Sequence, residues 1–134
     1  MPERYFTAAE ANEALTTVRP LAEELVARRH ALREAQDQRA ELGAQIAGNG
    51  GAPDARRLAE LDAQANREAA EIARCIARLE EVGVLVKDLD RGLVDFPALR
   101  GDEEVLLCWQ IGEEDVSYWH GLEDGFAGRR PLPL

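Results

Sequence analysis

Leu79-Glu80-Glu81-Val82-Gly83-Val84-Leu85-Val86 is the stretch at which the chain changes its hydrophobic period. Before it, Leu58, Leu61, Ala65, Ile72, Cys75, Ile76, Leu79 and Val82 recur at helical spacing, the mark of one buried helix face. Gly83 stands where a helix end calls for a left-handed backbone. After it come short apolar runs separated by glycine turns. Val84-Leu85-Val86, Leu93-Val94-Asp95-Phe96, Val105 to Ile111 and Val116 to His120 read as strands, with Asp90-Arg91-Gly92, Arg100-Gly101-Asp102 and Gly112-Glu113-Glu114-Asp115 as their turns. Strands this close in sequence favour an antiparallel meander.

Upstream, Thr7-Ala8-Ala9-Glu10 has the spacing of a capping box, with Phe6 placed for a hydrophobic staple. From there Leu15, Val18, Ala22, Leu25, Leu32, Ala35, Leu42 and Ile46 form a second helical stripe. Pro20 predicts a kink, or the start of a separate helix. Gly48-Asn49-Gly50-Gly51 ends the run, and Pro53-Asp54 starts the next helix. A short loop between helices makes them antiparallel neighbours. The expectation is an α+β fold in a single domain, 1–134. A long, coiled-coil-like antiparallel helical hairpin, 8–47 and 53–82, precedes a small antiparallel β-meander, 84–120, and an irregular tail, 121–134.

The 134 residues suffice for one core. A formal net charge of -10 opposes phosphate backbones and argues against nucleic-acid binding. No run is long and apolar enough to span a bilayer, nor does the start resemble a signal peptide, so the expected compartment is the cytoplasm, with Cys75 and Cys108 reduced. Phosphate loops, dinucleotide fingerprints, HExxH, GxSxG and zinc-finger spacings are absent, and no catalytic motif is recognisable.

The C-terminal third carries an ordered series of motifs: Gly92-Leu93-Val94-Asp95-Phe96-Pro97, Leu107-Cys108-Trp109, Gly112-Glu113, Tyr118-Trp119-His120, Gly125 and Gly128-Arg129-Arg130-Pro131. With Tyr5-Phe6-Thr7 and Glu10-Ala11-Asn12 near the start, the chain resembles a prokaryotic family known as domain of unknown function 2203. The resemblance covers nearly the whole chain and implies no activity. Where it implies an acidic residue soon after the histidine, Gly121 follows His120 and Glu123 stands two further on.

The candidate site residues lie in the same third. His120, with Glu123 and Asp124 nearby, suits metal ligation or proton transfer, or packs at a strand end. Asp95, between Val94 and Phe96, needs a partner if buried, for which Arg129 or Arg130 is expected. Alternation along the strand puts Val105, Leu107, Trp109 and Ile111 on the helix side, and Leu106, Cys108 and Gln110 on the other. Cys108 is either a nucleophile with His120 as base or a small buried thiol. Tyr118, Trp119 and Phe126 line a pocket or interface, or fill the core. His30 and Glu34 read as a solvated pair and Cys75 as core. The candidate ligand-binding set is thus His120, Asp95, Cys108, Glu123, Arg129 and Trp119, with His120 and Glu123 for a divalent metal, although no cofactor is indicated.

Helices of about 35–40 residues reach roughly 50–60 Å, while a strand of six or seven residues covers about 20 Å. The sheet is too short for the hairpin. Either a second copy covers the apolar stripes as a homodimeric four-helix bundle, or the two helices cover one another. The expected function is a non-enzymatic homodimeric scaffold that presents an aromatic sheet surface to a protein partner. The alternative is a metal- or small-ligand-binding domain, enzymatic or not.

Overall fold

The computed structural model describes residues 2–48 and 55–134. Two helices, α1 (Ala8–Gly48) and α2 (Ala55–Val82), precede the strands β1 (Leu85–Asp88), β2 (Leu93–Arg100), β3 (Glu103–Gln110) and β4 (Tyr118–Gly121). A single 3-10 turn (Phe126–Gly128) leads into a two-residue strand β5 (Arg130–Pro131). The sheet is antiparallel throughout, in the order β1-β2-β3-β4-β5. This is the α+β layout expected, a helical hairpin followed by a meander. The start of the second helix at Pro53-Asp54 and most of the glycine loop lie outside the described residues.

The capping box forms in full. The Thr7 amide donates to Glu10 Oε1 at 2.9 Å, and the Glu10 amide donates to Thr7 Oγ1 at 3.1 Å. Phe6 is buried edge-on against Phe96, with ring centroids 5.2 Å apart. Its amide donates to Pro97 O at 2.7 Å. That bond explains how a proline sits inside β2. β1 ends its pairing at Leu85↔Asp95, so beyond Asp95 the segment before α1 takes the place of a neighbouring strand.

Pro20 does not divide α1, which runs unbroken through it. Val18, Ala22 and Leu25 on either side are fully buried. Their packing outweighs the roughly 3 kcal/mol that an interior proline costs a helix. At the end of α2, Val84 N donates to Leu79 O and Gly83 N to Glu80 O, closing a Schellman motif around Gly83 at φ 105°.

The helices are antiparallel. Arg28 faces Glu68, Arg39 faces Asp62, and Arg57 donates to Gln38. Their stripes meet each other and one face of the sheet. Leu15, Val18, Leu25, Ile72, Cys75 and Leu79 share a core with Val94, Phe96, Ala98, Val105, Leu107, Trp109 and Trp119. The large exposed apolar side chains among the described residues, Leu85, Leu99, Leu122 and Leu134, all lie outside the helices. Leu42, Ile46 and Leu58 toward the far end of the hairpin are half-buried, as are Leu21, Ile76 and Val82 nearer the sheet. The described polar contacts of α1 with the meander extend as far as Arg33, which pairs with Asp90 in the turn between β1 and β2. Beyond that point the hairpin projects as an arm of about 15 residues in α1, about 22 Å at helical rise.

All four expected strands differ in extent from expectation, and the tail is more ordered. β2 continues to Arg100 because Arg100 pairs with Glu103 across the turn. Residues 121–134 are not wholly irregular. β5 pairs with β4, Leu132 N donates to Ser117 O at 2.9 Å, and the Arg130 guanidinium lies 5.2 Å from the Trp119 ring.

Candidate functional site

Register decides what meets what on the sheet face turned away from the helices. Asp95 of β2 lies directly opposite Cys108 of β3, and His120 of β4 lies opposite Leu106, one diagonal step away. Three adjacent strands thus bring a carboxylate, a thiol and an imidazole together. All three are buried, with relative exposures of 1%, 0% and 3%.

Over this face lies Arg129. Its guanidinium sits 4.1 Å from the Tyr118 ring and 4.6 Å from the Phe126 ring. Its Nη2 donates to Cys108 O at 3.2 Å and to Glu113 Oε1 at 2.6 Å. Arg129 therefore pins the tail, but through Glu113 and not, as expected, through Asp95. Neither Arg129 nor Arg130 pairs with Asp95, whose partner is His120.

The His120 ring is held at both ends. Nδ1 lies 2.7 Å from Gly121 O and Nε2 lies 3.1 Å from Asp95 Oδ1. A carbonyl oxygen only accepts, so Nδ1 carries hydrogen and Nε2 faces the carboxyl group, sharing one proton with it. Burial pushes the Asp95 carboxyl above its ordinary 3.8, against the opposing pull of His120 and a hydrogen bond from Cys108. Burial, reinforced by the Asp95 charge, pushes the Cys108 thiol up to about 12. Cys108 is therefore a thiol beside Asp95 rather than a thiolate.

A prediction follows for both thiols, since burial also raises Cys75, which is packed between the helices. At neutral pH Cys108 holds roughly 1,000-fold less thiolate than an ordinary cysteine. Iodoacetamide labelling read by mass spectrometry is expected to leave both thiols free in native protein and to modify both in denaturant. Rapid native labelling at Cys108 would contradict the buried arrangement.

The remaining candidates fall elsewhere. Glu123 is exposed and makes none of the contacts of the His120 ring, so the expected His120–Glu123 metal pair does not assemble. Trp119 lies on the opposite face, in the core, with the guanidinium of Arg100 5.1 Å from its ring. His30 and Glu34 form a solvent-exposed pair 3.4 Å apart.

Glu113 was read as part of a turn and of the motif series but not as a candidate site residue, yet it joins three parts of the molecule. Its carbonyl accepts from Trp109 Nε1 at 3.0 Å and from Arg19 Nη1 at 3.1 Å, while its carboxylate accepts from Gln110 N and Arg129. The Gly112-Glu113 pair in the C-terminal motif series was the one sequence signal for it.

Among the described residues, Asp95, Cys108 and His120 each offer one ligand atom, and these atoms lie within 4.8 Å of one another. A surface groove of about 270 Å³ lies apart from them on the projecting arm, lined by Gln38, Glu41, Leu42, Gln45, Arg57 and Leu61. No helix among the described residues is long and apolar enough to cross a membrane.

Neither the curated proteins nor the solved structures compared with the chain include a match. The sequence profile of the uncharacterised conserved protein family DUF2203 matches residues 4–132, and the chain belongs to that family.

Proposed function

We propose that this DUF2203 member is a non-enzymatic interaction protein, in which a rigid α+β head presents a projecting two-helix arm and two copies pair through their arms. The observation that carries this reading is the reach of the hairpin past the sheet. Beyond Arg33 the described polar contacts of α1 lead to α2, as in Arg39–Asp62, while Leu42, Ile46 and Leu58 stay half-buried. Covering such side chains yields about 25 cal/mol per Å² of apolar surface. A two-fold bundle does so with the same residues from each copy. The groove beside Leu42 and Leu61 gives an unidentified protein partner an alternative seat on the same arm.

The buried Asp95–His120–Cys108 cluster supports this non-enzymatic reading, because its thiol is protonated and its ring nitrogens are engaged. It also supports a second reading, a metal- or small-ligand-binding domain. The net charge of -10 and the free thiols Cys75 and Cys108 fit a bacterial cytoplasmic protein that binds neither nucleic acid nor membrane.

Light scattering tests the pairing directly. At tens of micromolar the expected mass is that of two chains. Leu42→Asp combined with Ile46→Asp is expected to halve that mass with the helical circular dichroism preserved. A single-chain mass for the unaltered protein would end the proposal.

A further inference from the structure

The outer face of the sheet holds an arrangement that packing alone does not require. Three neighbouring strands each direct one donor atom toward a common point: an Asp95 carboxylate oxygen, Cys108 Sγ and His120 Nε2, all within 4.8 Å of one another. We propose that Asp95, Cys108 and His120 together bind one thiophilic divalent cation, zinc(II) by preference, clamping β2, β3 and β4. The site stands on this cluster alone and is independent of any pairing through the arms.

The donor set is the first reason. One thiolate, one imidazole and one carboxylate suit zinc or cobalt, whereas magnesium and calcium take oxygen ligands. Geometry is the second. Around a tetrahedral zinc ion with bonds of about 2.0–2.3 Å, two ligand atoms stand about 3.3–3.8 Å apart. The 3.1 Å between His120 Nε2 and Asp95 Oδ1 is already close to that spacing, and Cys108 Sγ lies within 4.8 Å of both atoms. The third reason is the support behind the histidine. Its Nδ1–H points at Gly121 O, 2.7 Å away, which fixes the ring and turns the Nε2 lone pair toward the other two donors. Metal-ligating histidines are commonly held in this way.

Arg129 supplies the fourth. It already donates to the carbonyl of Cys108, yet its buried Nε–H finds no acceptor among the described residues. A thiolate formed at Cys108 by metal binding would provide negative charge and acceptor capacity beside it. The charges also balance. Thiolate and carboxylate contribute two negative charges and neutral imidazole none, matching a divalent ion. Two protons leave as the ion enters, one from the Cys108 thiol and the one shared by Asp95 and His120. Three protein ligands leave a fourth tetrahedral position for water.

Cobalt(II) reports on the site through its spectrum. The full chain, stripped with a chelator, is titrated with cobalt(II) and then zinc(II). The expected result is one equivalent of cobalt bound, with visible d–d bands of a tetrahedral ion and near-ultraviolet thiolate-to-cobalt charge transfer, all bleached by one equivalent of zinc. Cys75→Ser is expected to keep the charge-transfer band and Cys108→Ser to lose it. Zinc is expected to raise Tm by several degrees in the unaltered chain. Absence of the charge-transfer band from the folded, unaltered chain overturns the proposal, as does its loss in Cys75→Ser or its survival in Cys108→Ser. Should Cys108→Ser not fold, the unaltered chain and Cys75→Ser decide the matter by the same bands.

Discussion

Trp109→Ala is expected to destabilise the protein by about 3–5 kcal/mol, the range for truncating a buried large aromatic. Trp109 is fully buried at the junction of sheet and helices, opposite Val94. The Arg19 guanidinium of α1 lies 5.3 Å from its ring, and both side chains donate to Glu113 O. Truncation opens a cavity beneath α1 and removes the indole donor from that carbonyl. Trp109→Phe keeps much of the apolar surface but loses the N–H and part of the indole, so a smaller loss, about 2 kcal/mol, is expected for it. Urea unfolding followed by circular dichroism separates the two. A loss under 1 kcal/mol for Trp109→Ala would mean that the sheet does not rest on the helices through this residue.

Asp95→Ala ranks second, at roughly 3–5 kcal/mol near neutral pH, because removing one member of a buried polar pair strands the other. His120 Nε2 and the Cys108 thiol both lose their partner. The pH dependence carries a definite sign. The Asp95 carboxyl is raised above its ordinary 3.8, so the native state holds this proton more tightly than the unfolded chain does. The resulting stabilisation is fully present below 3.8 and is lost as pH rises through the folded value. Asp95→Asn removes that titration and keeps a hydrogen-bonding side chain. The stability of the unaltered protein relative to Asp95→Asn is therefore expected to fall as pH increases from about 4 toward 7. Urea midpoints for the two proteins across that interval provide the check. A difference that grows in favour of the carboxylate with rising pH would show a net-favourable ion pair instead.

Much of the fold was legible because its signals are local. Thr7 and Glu10 stand three apart, Gly83 interrupts one period and begins another, and the alternation along β3 assigns Trp109 and Cys108 to opposite faces. Long-range choices were not legible. Alternation fixes the face of Asp95 but not that Cys108 stands opposite, since register depends on how β2 and β3 slide past each other. Arg129 has acidic side chains of either strand or turn within conceivable reach, and only the folded path of the tail selects Glu113 over Asp95. Of the two outcomes expected at Pro20, a separate helix does not form, for a related reason. The local cost of the proline is visible in the sequence, whereas the burial of Val18, Ala22 and Leu25 that overrides it is a property of the assembled core. Glu123 looked close to His120 along the chain, but the bend after β4 leaves it in solvent while the ring turns inward.

The order of strands across the sheet repeats their order along the chain, and the two helices are likewise consecutive. Every neighbouring pair of elements can therefore close over a short loop, which is the circumstance that favours rapid folding. The bonds that reach from one half to the other include Phe6 N to Pro97 O, Val116 N to Asn12 Oδ1 and Arg19 to Glu113 O. Hairpin and meander thus each close over neighbouring segments, and these bonds join the two at the seam between them.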